Sequence, residues 1–295
     1  MTIKSMTGFS HADGATATFA WHWELRSVNA RGLDVRVRLP AGNDALEPKV
    51  REAAGKILSR GSVTVSLNIE VRSGTQEIRL NEETLRQVVA AAEKIRAMTD
   101  AAPPSADGLI AIKGVLEVVE HQESADELEA RTQAILVSLD RALELLVKAR
   151  AGEGARLKTV LQGHLTQIEE LVAAVEASPA RTPAAIQEQL KAQLDRLFEN
   201  AGSLDPGRLH QEAVLVATRA DVEEELKRLR AHIAAARELL EEKGAIGRKL
   251  DFLAQEFNRE ANTLCSKANA LDITRAGLAL KSVIDQMREQ VQNIE

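Results

Sequence analysis

Aromatic residues are scarce in this chain: they make up 2% of its 295 residues, and tyrosine is absent. So few rings leave little with which to stack nucleic-acid bases, so any such binding must lean on charge, amides and backbone. Cysteine is nearly missing as well. Cys265 stands alone, which excludes an intramolecular disulfide and a zinc cluster and fits a reduced, cytoplasmic compartment. No apolar run approaches the ~18 residues that a membrane span requires. The opening stretch, MTIKSMTGFSHADG, lacks the apolar core of a signal peptide. Also missing are an HExxH pair, a P-loop, a glycine-rich dinucleotide loop and a credible Ser or Cys nucleophile. A net charge of −6 argues against a uniformly basic nucleic-acid binder, though not against a local basic groove.

What is present is ordinary for a globular protein: 44% hydrophobic and 28% charged residues, in a length that suits one large or two ordinary domains. The N-terminal third alternates with a period of two. Phe19, Trp21, Trp23 and Leu25 face one way, as do Leu33, Val35, Val37 and Leu39, then Val63, Val65, Leu67, Ile69 and Val71. Such alternation predicts a sheet with one buried face. Ile3–Phe9 is expected as a further strand, joined to the next through a His-Ala-Asp-Gly turn. A helix near 44–58 should cover the apolar face, and another should start after the N-cap Asn81 and run to about Met98. The sheet's polar face carries Arg26, Arg36, Arg38 and Arg72 with Glu24 and Glu70. Cross-strand ion pairs on a solvated face explain it, with a phosphate-tracking surface as the rival reading.

Residues 99–108, TDAAPPSADG, form a Pro-rich break. After about Asp126 the apolar spacing is helical, with Gly152 and Gly154 as places for a bend. Breaks follow at Pro179–Pro183, and a helix is expected from 206 to about Lys243, stopped by Gly244. In it Val222, Leu226, Leu229, Ile233, Ala236 and Leu240 step by four and three, the spacing of a coiled-coil seam. The expected class is α+β: an N-terminal antiparallel/mixed sheet with covering helices, then a long-helix, coiled-coil-like helical region. The expected division is 1–100, a linker and short apolar segment at 101–125, and a helical domain at 126–295.

Two helices carry residues of chemical interest. Beside the seam run Asp221, Glu225, Arg228 and His232, at steps of four, three and four. Like charges one turn apart repel, and a divalent cation would remove the repulsion; Glu225 pairing with Arg228 is the bland alternative. The last stretch, GRKLDFLAQEFNREANTLCSK, places Leu250, Leu253, Phe257, Ala261, Leu264 and Ala268 on one side of a helix. Its opposite side carries Arg248, Asp251, Gln255, Asn258, Arg259, Asn262, Ser266 and Asn269. Asn and Ser are poor helix formers, so their amides and hydroxyls point to RNA or to a polar contact between subunits. Asp251, Glu256 and Glu260, between Lys249 and Lys267, offer oxygen ligands suited to magnesium or manganese. Cys265 reads as a small core residue.

SMTGF at 5–9, WELRSVNARGLDVRVRLP at 23–40, RG at 60–61, KGVLEV at 113–118, DVEEELKRLRAHI at 221–233, GRKLDFLAQEFNREANTLCSK at 247–267 and REQVQNIE at 288–295 closely resemble the bacterial YicC/YloC family. Departures are small: Ala30 and Gly32 stand where Ser and Tyr are expected, Ala231 where Ser is usual, and Phe257 where Met or Ile is usual. The resemblance implies a cytoplasmic, divalent-metal-dependent endoribonuclease of single-stranded or structured RNA, tied to small-RNA turnover and stationary-phase stress. It also implies a homo-oligomer, expected as a hexamer, with other RNA-decay nucleases as partners.

On that reading Asp221, Glu225, Asp251, Glu256 or Glu260 hold Mg²⁺ or Mn²⁺. Arg228, Arg248, Lys249, Arg259 and Lys267 hold phosphates, and Gln255, Asn258 and Asn262 meet sugar or base edges. A metal-free variant has His232 as general base on the RNA 2′-hydroxyl, with Arg228 on the phosphate. The rivals are a non-catalytic RNA-binding adaptor that presents RNA to another nuclease, and a purely structural helical oligomer.

Overall fold

A computed structural model describes residues 3–72, 77–99, 101–119, 123–182, 184–188, 191–192, 195, 222–242 and 244–295. The alternating stretches form strands β1 (Gly8–Ala15), β2 (Phe19–Val28), β3 (Leu33–Arg38) and β4 (Gly61–Val71). They lie in the order β1-β2-β4-β3, with β3 parallel to β4 and the other neighbours antiparallel. A parallel pair needs a crossover, and helix α1 (Glu47–Ile57) supplies it.

The first strand differs from expectation. It begins at Gly8, and His11-Ala12-Asp13-Gly14 lie inside it rather than in a turn. The pleat explains this: Ser10 and Ala12 point into the core, while Asp13 faces across to His22 at 2.6 Å. The chain reverses instead at Thr16, whose hydroxyl accepts the Phe19 N–H at 3.1 Å.

Helix α1 does not cover the apolar face alone. Ile135, Leu139, Ala142, Leu143 and Leu146 of helix α4 (Ala125–Glu176) pack on Trp21, Trp23, Leu25, Val63, Val65 and Leu67. Both indole N–H groups are satisfied by this helix, Trp21 on the Ser138 hydroxyl at 2.8 Å and Trp23 on the Ile135 carbonyl at 3.0 Å. A buried ring with a bonded N–H fixes its neighbour's position as well as filling volume.

Between sheet and α4 lie β5 (Glu77–Leu80), helix α2 (Glu82–Met98), helix α3 (Ala106–Ile110) and β6 (Leu116–Val119), with β5 and β6 antiparallel. Asn81 caps α2 as expected, accepting the Thr84 N–H at 2.9 Å. Part of the Pro-rich break is therefore structured: Ser105 caps α3, accepting the Gly108 N–H at 3.3 Å.

Helix α4 runs for 52 residues without a break. Beyond the sheet, its Leu157, Leu161, Leu165, Ile168, Val172 and Val175 join a second core with helices α5 (Glu223–Glu241), α6 (Gly247–Lys267) and α7 (Leu271–Val291). Val222, Leu226, Leu229, Ile233, Ala236 and Leu240 are all buried there, as their seam spacing requires. The expected start of α5 at 206 lies outside the described residues. No described helix is long and apolar enough to cross a membrane.

Gly154 has a different use from the expected bend. A Cβ on it would lie 2.0 Å from the Ile3 carbonyl oxygen, so the glycine lets the N-terminal segment lie flat on the helix. Gly154→Val should destabilise the protein by about 2–4 kcal/mol, because backbone, not a flexible side chain, fills the space. Urea unfolding measures this, and an unchanged midpoint would mean that the N-terminal segment is not seated there.

Candidate functional site

Helices α5 and α6 pack along the apolar seam, and their polar edges meet beside it. Three layers of charged groups result. Lys267 Nζ donates to both Glu225 oxygens at 2.9 and 3.2 Å. One layer on, Arg228 Nη1 donates to Glu260 Oε1 at 3.3 Å and Arg228 Nη2 donates to Glu224. At the third layer His232 meets Glu256 and Glu260, each offering a ligand atom, all within 4.8 Å of one another. An antiparallel pair of helices produces this order: residues advance 225, 228, 232 on one and fall 267, 260, 256 on the other.

Burial sharpens the chemistry. Glu225 and Glu260 are each only 3% exposed. A carboxylate taken from water needs a counter-charge or hydrogen-bond donors, since leaving it alone costs several kcal/mol. Lys267 and Arg228 supply these. Hydrogen bonding to Glu260 and the charge of Glu224 hold the Arg228 guanidinium above its usual value. His232 Nε2, by contrast, is buried with no hydrogen-bond partner. Its ring stands edge-on to Phe257 at 5.6 Å. A buried imidazole nitrogen without a partner, beside two carboxylates, is a donor set that suits a divalent transition-metal ion.

The residues singled out on α6 do not share one side. Glu256 and Glu260 face α5. Asn258 faces α7, where its amide donates to Asp285 Oδ1 at 2.9 Å, and Asn262 donates to Asn258 at 2.7 Å. Gln255 donates to Asp251 at 3.0 Å. Arg248 and Arg259 fall on the outward arc between these edges, Arg259 lying 3.8 Å from Glu256. Lys249 pairs with Glu242 at 2.5 Å.

Of the carboxylates considered for a metal, the structure brings together Glu256 and Glu260. Glu225 is paired with Lys267, Asp251 lies on the other edge, and Asp221 is outside the described residues. Lys267, expected on phosphate, is the partner of Glu225. Asp285 was not foreseen: nothing in the spacing of α7 pairs it with an amide 27 residues earlier.

Models of the family described as "Endoribonuclease YicC-like" match the chain over residues 3–159 (N-terminal region) and 175–295 (C-terminal). The chain belongs to the YicC-like endoribonuclease family. A relative from Haemophilus influenzae named "Probable endoribonuclease YicC" is 39% identical, over 99% of this chain and all of its own length. A second with the same name, from Clostridioides difficile, is 28% identical over 99% of both chains. The α5–α6 edge lies wholly within the C-terminal match.

Replacing Lys267 by Met should strand the Glu225 carboxylate in its buried position, at a cost of about 3–5 kcal/mol. The double variant Glu225→Gln, Lys267→Met should recover much of that loss. Urea midpoints of the two variants test the pair, and equal midpoints for Lys267→Met and the native chain would show that it contributes nothing.

Proposed function

We propose that this chain is a metal-dependent endoribonuclease whose reactive centre is His232, Glu256 and Glu260 at the α5–α6 edge. The observations that carry the reading are a His232 ring nitrogen and two carboxylate oxygens within 4.8 Å of one another, and a His232 Nε2 that is buried without a hydrogen-bond partner. The family supports the reaction class, since two relatives bear the name of an endoribonuclease.

His232, Glu256 and Glu260 would hold the ion, and a nitrogen beside two carboxylates suits Mn²⁺ more than Mg²⁺. Bound there, the ion supplies Lewis-acid stabilisation of the charge that develops on a phosphate oxygen. The chain's own groups do the rest. Arg259 and Arg248, exposed on the outward arc of α6, hold the backbone of the strand. Arg228, half-exposed and already fixed by Glu260 and Glu224, presents its remaining N–H groups to the scissile phosphate. The apolar seam keeps the backbone under all three residues rigid, which holds the donor set in place.

A second reading is favoured by a specific observation: Glu256 and Glu260 each have an arginine partner. Charges already neutralised suit a non-catalytic adaptor that presents RNA to another nuclease. A third arrangement keeps cleavage but uses His232 as general base on the 2′-hydroxyl, with Arg228 on the phosphate. The full-length resemblance further supports a homo-oligomer, expected as a hexamer, acting in cytoplasmic small-RNA turnover.

Purified protein with a labelled RNA separates these readings. With Mn²⁺ present, Glu256→Gln and Glu260→Gln should each slow cleavage by about 100-fold or more, and EDTA should stop it. Cleavage that persists in EDTA and leaves 2′,3′-cyclic phosphate ends would replace the metal reading with the His232 mechanism. No cleavage under any divalent ion would leave the adaptor.

A further inference from the structure

A cavity of about 440 Å³ opens on the other edge of α6, away from His232. Five separate stretches wall it: Met6 before β1, Asn29–Arg31 after β2, Arg60 before β4, Arg248 and Asp251 near the start of α6, and Arg288 and Gln292 at the end of α7. Each stretch lies in a motif that carried the family resemblance, and of these residues the proposed cleavage reading uses only Arg248.

Four arginines, Arg31, Arg60, Arg248 and Arg288, line this one space. Among the described residues none of the four forms an ion pair. Several other arginines do, as Arg181, Arg228, Arg230 and Arg237 pair with glutamates, though Arg141 and Arg275 are likewise without an ion pair. Gathered guanidinium groups repel one another, and an anion removes that repulsion while accepting their forked N–H groups. Arg60 Nε is buried with no hydrogen-bond partner, while Arg60 Nη2 rests on the Arg31 carbonyl at 3.4 Å.

One group in the wall has the wrong sign for a bare phosphate. Asp251 faces the same cavity, and its Oδ2 accepts from Gln255 at 3.0 Å. A carboxylate beside an anion site is tolerated when the ligand also brings a donor. A ribonucleotide brings one, the 2′-hydroxyl, beside its phosphate. We infer that this cavity binds one ribonucleotide unit of an RNA strand, its phosphate on Arg31, Arg60, Arg248 and Arg288 and its ribose hydroxyl on Asp251. The inference rests on the RNA-cleaving reading, shares Arg248 with it, and uses none of the His232, Glu256 and Glu260 donor set. It supplies a means of telling RNA from DNA.

Binding measured in EDTA, where no cleavage intervenes, tests it on the full-length protein. Fluorescence anisotropy would compare a labelled single-stranded RNA 12-mer, the same RNA with a 5′-phosphate, and a DNA 12-mer of equal sequence. Arg31→Ala with Arg288→Ala should weaken RNA binding about 10-fold. It should also flatten the slope of log K against log salt by about 0.7 per arginine removed. Asp251→Asn should weaken RNA while leaving DNA unchanged, so that the preference for RNA narrows. Both arginines are exposed, and a thermal melt confirms that the double variant folds. Equal affinity for the two RNAs assigns the cavity to an internal phosphodiester, and preference for the 5′-phosphate assigns it to a strand end; both support it. Native affinity and salt slope in the arginine variant would overturn it, as would Asp251→Asn weakening RNA and DNA equally. In either failure, cleavage lost in Glu260→Gln would still stand for the metal centre. RNA that fails to bind the native chain at all in EDTA would likewise overturn the cavity assignment, and cleavage with Mn²⁺ would still decide the metal centre.

Discussion

The guanidinium of Arg150 is where the two halves of the molecule are tied. It is 2% exposed and sits midway along α4, between the part of that helix that covers the sheet and the part that joins the helical core. Its Nε donates to the Ser5 carbonyl at 2.7 Å, and its Nη2 donates to the Arg60 carbonyl at 3.1 Å and to Glu295 Oε2 at 3.3 Å. Burial pulls its pKa below the usual value, and the Glu295 charge pushes it back. Breaking such a buried pair costs about 3–5 kcal/mol, more than any exposed pair on this surface can contribute. Glu295 completes the knot: its backbone oxygen accepts from Ile246 and Gly247, both at 3.2 Å, and its N–H donates to Lys4. The N-terminal segment, the loop before β4, the start of α6 and the end of α7 therefore arrive at one point. The arginine-lined cavity is the outer wall of that junction.

The α5–α6 edge depends on a different balance. Its carboxylates sit beside an apolar seam because helical geometry puts residues flanking the seam half out of water. Once there, each needs a partner, and the helices provide Lys267 for Glu225 and Arg228 for Glu260. These pairs differ in consequence. The Lys267 side chain is 26% exposed and the Glu225 side chain 4%, so that pair is nearly sealed and structural. Arg228 keeps 48% of its side chain in solvent, where its pull on Glu260 is screened and easily shared with a second cation or an incoming phosphate. The position with a free ligand atom, His232 Nε2, is also the one where the carboxylates are held most loosely.

Periodicity made most elements legible before any coordinates, because one-sided burial leaves a period of two in strands and of 3.6 in helices. The seam on α5 and the Trp21–Trp23–Leu25 face are the clearest cases. Where burial is slight the pattern faded: β5 and β6 pair with each other, Ile78, Leu80 and Leu116 are exposed, and the sequence showed no strand alternation there. The first strand was misplaced because His-Ala-Asp-Gly is turn chemistry in composition, yet its alternating small residues fit a pleat. The site was read in part. A helical wheel tells which residues avoid the apolar stripe, but it cannot tell which flank of the stripe meets which neighbour. Glu256 and Glu260 go to α5, while Asn258 and Asn262 of the polar arc go to α7. The four arginines of the cavity come from stretches far apart in sequence, and only the fold brings them together.

This division constrains how a strand could lie. Trp21 and Trp23 are both sealed in the core, so the largest rings of the chain are withheld from stacking. Grip must come from phosphate and sugar contacts, which track the backbone and carry little base identity. Those contacts are available on both flanks of α6 and on the arc between them, where Arg248 and Arg259 project. A helix with its side chains is about 10 Å across, a distance that a few nucleotides of flexible single strand can bridge while bending over its surface. A duplex is too stiff to make that turn within so short a span. On the two proposals, an RNA crossing α6 would follow a single-stranded path, with one flank to hold a ribonucleotide and the other to present the histidine and carboxylates.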